Sequence, residues 1–176
     1  PRVAWPSVAT FTTILERHGC VVKRRRRRKP GHPGAPSSLP EAPNLVWSAD
    51  FKGQFKTRDG RYCYPLTVTD NYSRYLLGCQ GLRSTACASA KRVFVRLFRE
   101  FGLPDRIRTD NGVPFATVSL GRMSSLSGWW IRLGVMPELI EPGKPQQNGR
   151  HERMHRTLKA DTARPPAANL RAQQRV

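Results

Sequence analysis

The stretch from Glu141 to Lys159 holds the densest candidate chemistry in the chain. It reads as a Pro/Gly-rich loop that ends at Asn148, a good N-cap, and passes into a helix. Glu152 falls just beyond the first turn, where unsatisfied N–H groups and the helix dipole favour a carboxylate. The same letters, His151-Glu152-Arg153-Met154-His155, spell H-E-x-x-H, the pattern by which a helix presents two zinc ligands and a general base. Two more carboxylates need an explanation. Asp50 lies inside a strand-like run and Asp110 at the end of another, and a carboxylate in a core strand has to be paired or metal-bound.

The zinc reading fits poorly. A third ligand is needed downstream, yet no Glu follows Glu152 and no His follows His155; Asp161 alone remains. The longer metzincin extension is absent too. Arg150, Arg153 and Arg156 crowd the motif and repel a dication, and a protease leaves Asp50, Asp110 and the net charge without a role. His151 and His155 are therefore expected to be helix-surface groups near a polyanion rather than metal ligands.

The elements that must position these residues follow from composition and pattern. A net charge of +19 over 176 residues predicts a polyanionic partner, DNA ahead of a membrane surface. No apolar run approaches a membrane span, and no small-molecule substrate is expected. Cys20, Cys63, Cys79 and Cys87 lack C-x-x-C spacing and read as reduced thiols of a cytosolic protein. Residues 7–18 read as one helix capped by Ser7, with Val8, Phe11, Ile14 and Leu15 on one face. Lys23, Arg24, Arg25, Arg26, Arg27, Arg28 and Lys29 form an unbroken basic run suited to tracking phosphates. Five prolines between residues 30 and 43 then make a semi-rigid spacer, so a boundary is expected near residue 43.

Beyond it, Leu45–Phe51 reads as a strand, Arg58-Asp59-Gly60 as a hairpin turn, and Arg61–Thr69 as the returning strand. Pro65 argues that this second strand is an edge or carries a bulge. Arg74–Gln80 completes an antiparallel meander. Ser84–Phe101 is the clearest helix, its apolar residues recurring from Ala86 to Phe101 at three- and four-residue steps. Arg106–Thr109 is a short strand delivering Asp110. A strand–helix–strand passage is right-handed and makes its outer strands parallel, which sets Asp110 beside Asp50 if the neighbour is the first strand. Ser125–Gly134 reads as a helix with Trp129 and Trp130 in the core, and Val135–Ile140 as an edge strand containing Pro137. Asp59, Asp70 and Asp105 sit at turns and need no catalytic role. Residues 161–176 are expected to be a disordered tail.

These residues carry a resemblance. The blocks from Trp47 to Gly53, from Arg108 to Phe115 and from Pro145 to Glu152, in that order, resemble the three signature blocks of the integrase-type catalytic core of bacterial insertion-sequence transposases and retroviral integrases. The resemblance spans residues 44–160. It implies an α/β, ribonuclease H-like fold with a mixed five-stranded sheet flanked by helices. Residues 1–22 resemble what remains of a helix-turn-helix domain, with residues 23–43 as linker. Implied also are two Mg²⁺ ions (Mn²⁺ as a substitute) on a triad of Asp50, Asp110 and Glu152. Asp50 would bridge both ions, with one further carboxylate on each. Element ends and target DNA would be the partners of a homo-oligomer in the bacterial cytoplasm, at the nucleoid. Lys144, Arg150 and Lys159 would touch DNA near the triad.

Two departures qualify the resemblance. Between Asp110 and Glu152 lie 41 residues (152 − 110 − 1), more than is commonest, an excess that fits the loop around 117–125. The amino-terminal domain and the segment after the Glu152 helix both look incomplete. The competing expectation is thus a truncated, inactive DNA-binding remnant that interferes with full-length transposase.

Overall fold

A computed structural model describes residues 7–18, 39–51, 53–117, 123–141, 154–155, 158 and 160–175. The basic run and most of the spacer lie outside them, as do Lys144, Arg150, His151, Glu152 and Lys159. The chain divides into two units, residues 1–33 and 34–176. In the first, α1 spans Val8–Arg17, and the Ser7 hydroxyl accepts the Thr10 N–H at 3.3 Å, as an N-cap should. Ile14 and Leu15 on its expected apolar face are 42% and 44% exposed.

The second unit is built on one mixed sheet of six strands. β1 (Val46–Phe51) pairs antiparallel with β3 (Tyr62–Asp70), which pairs antiparallel with β4 (Leu76–Leu82). β5 (Arg106–Thr109) runs parallel to β1, and β6 (Met136–Leu139) parallel to β5 at the edge. The sixth strand, absent from the sequence-based count of five, is β2 (Phe55–Lys56), a two-residue piece pairing with the start of β3. Pro65 does not mark an edge, since β3 has partners on both flanks. It lies one residue before the β1 ladder begins at Leu66, opposite Gly81 of β4, so its missing N–H breaks no β1 bond.

Alternation in the strands fixes which face is dry. Trp47 and Ala49 of β1, Leu66 and Val68 of β3, and Ile107 of β5 enter one core with Ala90, Val93, Phe94 and Leu97 of α2 (Cys87–Phe101) and with Leu126 and Trp130 of α3 (Ser125–Arg132). Phe94 meets Trp130 edge-on at 4.9 Å. Helix α2 begins three residues after the expected Ser84, because Ser84 accepts the Ala86 N–H and holds the chain in a turn. At its other end Gly102, at φ 82°, returns its N–H to the Phe98 carbonyl.

Two polar devices tie the ends of this layer. The buried Asp70 carboxylate accepts the Asn44 N–H at 2.8 Å, the Ser73 N–H and hydroxyl at 2.7 Å each, and the Tyr72 N–H at 3.1 Å, clamping the entry to β1 onto the β3–β4 turn. The second overturns the expectation of a disordered tail. Residues 160–162 are helical, Leu170–Gln173 forms a last helical turn, and the segment between packs on the sheet. Arg58 and Asp59 donate N–H groups to the Ala167 and Ala168 carbonyls at 3.0 Å. The Gln174 amide accepts the Gly81 N–H at 2.7 Å and donates to the Cys79 carbonyl at 2.8 Å, satisfying the free edge of β4 as a strand would. A low-hydrophobicity sequence is ordered here by side-chain amides, not by an apolar stripe.

Replacing Asp70 with Ala strands several partly buried donors at once. Urea unfolding of Asp70→Ala should show a loss of about 2–4 kcal/mol, against less than about 1 kcal/mol for Asp105→Ala.

Candidate active site

With Trp47 and Ala49 in the core, Ser48 and Asp50 point to the opposite face of the sheet. The parallel ladder pairs Val46 with Arg106, Trp47 with Ile107 and Ser48 with Arg108; continued by two residues it sets Asp50 level with Asp110. Both carboxylates thus stand at the carboxyl ends of adjacent parallel strands, as the strand–helix–strand passage predicts.

Asp110 is held by its own turn. Its Oδ1 accepts the Gly112 N–H at 3.0 Å, and a Cβ on Gly112 would lie 3.1 Å from Oδ2, so glycine lets the turn close over the carboxylate. Next to it, Asn111 Nδ2 donates to the Ile140 carbonyl at 2.8 Å, and the Ile140 N–H to the Thr109 carbonyl at 3.0 Å. The chain therefore leaves β6 for the Glu152 region from beside Asp110.

Asp50 is braced from above. Thr67, its cross-strand partner, donates its hydroxyl to the Asp50 carbonyl at 3.2 Å, and the same Oγ1 lies 2.6 Å from His155 Nε2. His155 Nδ1 faces Asp50 Oδ2 at 3.5 Å. A hydroxyl has one proton. Given to Nε2, it leaves Nδ1–H to face the carboxylate; given to the Asp50 carbonyl, it makes Nε2–H the donor and Nδ1 protonated only in the imidazolium. Only with a proton on Nδ1 does the ring hold the Asp50 side chain, which stays 20% exposed while His155 is 2% exposed.

This corrects the surface placement expected for His155. Met154 and His155 are helical, and His155 is turned into the polar face of the sheet. It also counts against the H-E-x-x-H reading, because Nε2 is engaged by Thr67. Sequence reasoning missed a second feature of this face: Arg108 and Glu138, paired in the β5–β6 register, form a buried ion pair at 2.7 Å, two residues before Asp110. The i, i+2 spacing of Arg108 and Asp110 on a strand was the available signal.

Two adjacent carboxylates at a water-exposed strand end suit a hard cation such as Mg²⁺, which takes oxygen ligands and keeps several waters. Among the described residues no three of His, Cys, Asp and Glu converge as a metal cluster. Glu152 lies outside the described residues.

Sheet order and crossover define the class as a ribonuclease H-like α/β core. Comparison with known proteins agrees. Residues 40–145 match the family described as "Integrase core domain", and residues 133–176 match a second family of the same description. The chain belongs to the integrase core domain family. It is similar to an uncharacterized 31.7 kDa protein of insertion element IS407 from Burkholderia multivorans, 32% identical over 136 residues, covering 76% of this chain and 47% of that protein. It is also similar to the Pol polyprotein of feline endogenous virus ECE1, 33% identical over 118 residues, 66% of this chain and 10% of the polyprotein. The chain thus spans half or less of these relatives. In fold it resembles the HTLV-2 integrase catalytic core domain solved with magnesium (TM-score 0.52, 18% identity, 67% of this chain and 68% of that one). It likewise resembles a chain of the simian T-cell lymphotropic virus intasome in complex with PP2A regulatory subunit B56 gamma (TM-score 0.60, 20% identity, 87% and 58%). The second family match runs through residue 176, so residues 160–175 lie within the matched region.

The Thr67–His155 contact gives a direct test. Thr67→Val should lower unfolding free energy by about 1–3 kcal/mol by removing the hydroxyl from a buried ring nitrogen. Combined with His155→Leu, the loss should fall short of the sum of the single losses by at least about 0.5 kcal/mol in a double-mutant cycle.

Proposed function

We propose that this chain is the catalytic core of a DNA transposase that carries out Mg²⁺-dependent phosphoryl transfer, first nicking an element end with water and then joining the freed 3′-hydroxyl to target DNA. The reading rests on one observation above the rest: the β1–β5 register that sets Asp50 level with Asp110. The family match and the insertion-element relative support it.

Asp50, Asp110 and Glu152 would hold the ions, with Mn²⁺ able to substitute. Divalent ions bound there would stabilise the attacking and leaving oxygens of an in-line displacement. The remaining work belongs to the chain. Thr67 and His155 keep Asp50 in one orientation, and the Gly112 N–H does the same for Asp110. Glu152 precedes His155 by three residues, and residues three apart share one face of a helix. The cationic surplus of the chain supplies a salt-dependent hold on phosphates, and element ends and target DNA would be gathered by a homo-oligomer.

A labelled element-end duplex, incubated with the protein in Mg²⁺ or Mn²⁺, separates this from a binding remnant that does no chemistry. Nicking should depend on the metal and fall by about 10³-fold or more, equivalent to about 4 kcal/mol of barrier, in Asp50→Asn, Asp110→Asn or Glu152→Gln. Duplex affinity in EDTA should stay within about threefold. Equal nicking by the triple variant would overturn the enzyme reading, and metal-independent binding with no nicking by the parent would favour the remnant.

A further inference from the structure

The packed tail creates a feature that the catalytic site does not use. Two adjoining clefts, of about 450 and 420 Å³, open where the β2–β3 turn, the end of β4 and the last helical turn meet. Arg61, Arg83 and Arg171 line the first, and Arg83, Arg171 and Arg175 line the second. All four side chains are exposed, and among the described residues none forms an ion pair within 4 Å. One acid, Asp59, shares the first cleft. Its carboxyl is held below the usual range, first by the Thr57 hydroxyl and then by the Arg61 N–H and by the charges of Arg61 and Arg83. Four guanidinium groups against one carboxylate leave a local surplus of three positive charges.

Such a cluster costs self-repulsion, and the scaffold holds it together regardless. The Arg58 and Asp59 N–H bonds to residues 167 and 168, and the Gln174 bonds to β4, fix the three segments in place. Gly81 is part of this: a Cβ there would sit 3.1 Å from both Cys63 Sγ and Leu170 Cδ1, so its absence lets Leu170 seat beside β4 and carry Arg171 into the cleft. Planar guanidinium groups lining two adjoining clefts suit phosphodiester oxygens, which accept their paired N–H donors and supply several negative charges in a row.

We infer that Arg61, Arg83, Arg171 and Arg175 form a second DNA-backbone contact, made by residues other than the carboxylates and the basic run at 23–29. The patch takes duplex DNA by its phosphates, without reading bases, and the tail at residues 160–175 helps to build it. The inference rests on DNA being the partner; the test is run in EDTA, so failure of the chemistry and failure of this contact are separate results.

The test measures affinity of the full chain for a fluorescent duplex of arbitrary sequence across a KCl series. In Arg83→Gln/Arg171→Gln/Arg175→Gln the negative slope of log K against log salt should become shallower by roughly 2–3, about 0.9 for each phosphate that is no longer neutralised. The charge-matched control Arg92→Gln/Arg96→Gln/Arg99→Gln on α2 should change it by less than about 1. In the parent, duplex should protect Arg83 and Arg171 from phenylglyoxal, read by peptide mass spectrometry. Equal slopes for the two triple variants, or modification of Arg83 and Arg171 undiminished by saturating duplex, would overturn the proposal. So would protection by an acidic polypeptide but not by DNA. Circular dichroism and the unfolding midpoint of each variant show that the comparison is between folded proteins.

Discussion

Three backbone pairings, Val46 with Arg106, Trp47 with Ile107 and Ser48 with Arg108, set the geometry of the candidate site. They put two strand ends, separated by about sixty residues of sequence, level with one another, and both ends carry an aspartate. The register is protected by what lies on the other face. A slip of β1 by one residue would send Asp50 into the core among Phe94, Leu97 and Trp130 and turn Trp47 out to solvent. Burial of a tryptophan and the desolvation of a carboxylate therefore oppose the same error. The apolar layer under the sheet serves the site chiefly by making its upper face unambiguous.

That upper face is polar and buried, an unusual combination. Ser48, Thr67, Arg108 and His155 are all nearly inaccessible, and Glu138 is close to it. Removing one member of such a set costs more than the set contributes in net stability, because the partner left behind has lost its water. The arrangement instead fixes positions. Arg108 and Glu138 lock β6 to β5, Asn111 ties the Asp110 turn to the end of β6, and Thr67 with His155 secures Asp50 against the helix that follows Glu152.

How far the sequence discloses this depends on whether the signal is local. Asp50 inside a strand, Asp110 at the end of another and the amphipathic stripe of α2 are short-range patterns, and parallel pairing follows from the crossover rule. The burial of His155 escapes such reading because it depends on Thr67, 88 residues away, and nothing in its own helix marks it. The ordered tail escapes it for a related cause. Its order comes from Asn169, Gln173 and Gln174, whose amides bond backbone groups and leave no apolar periodicity to detect. The two-residue strand β2 is too short to carry a pattern at all. The arginine clefts combine three separate segments, so they emerge only once the tail is docked.

On the proposed function, Asp50 and Asp110, joined by Glu152, would share divalent metal. Diffraction from crystals grown in Mn²⁺, recorded at the manganese edge, tests it most directly. An anomalous peak is expected between the carboxylates of Asp50 and Asp110, with oxygen ligands at about 2.1 Å and Glu152 in the same coordination sphere. A peak held by His151 and His155, with no metal between the two aspartates, would contradict it.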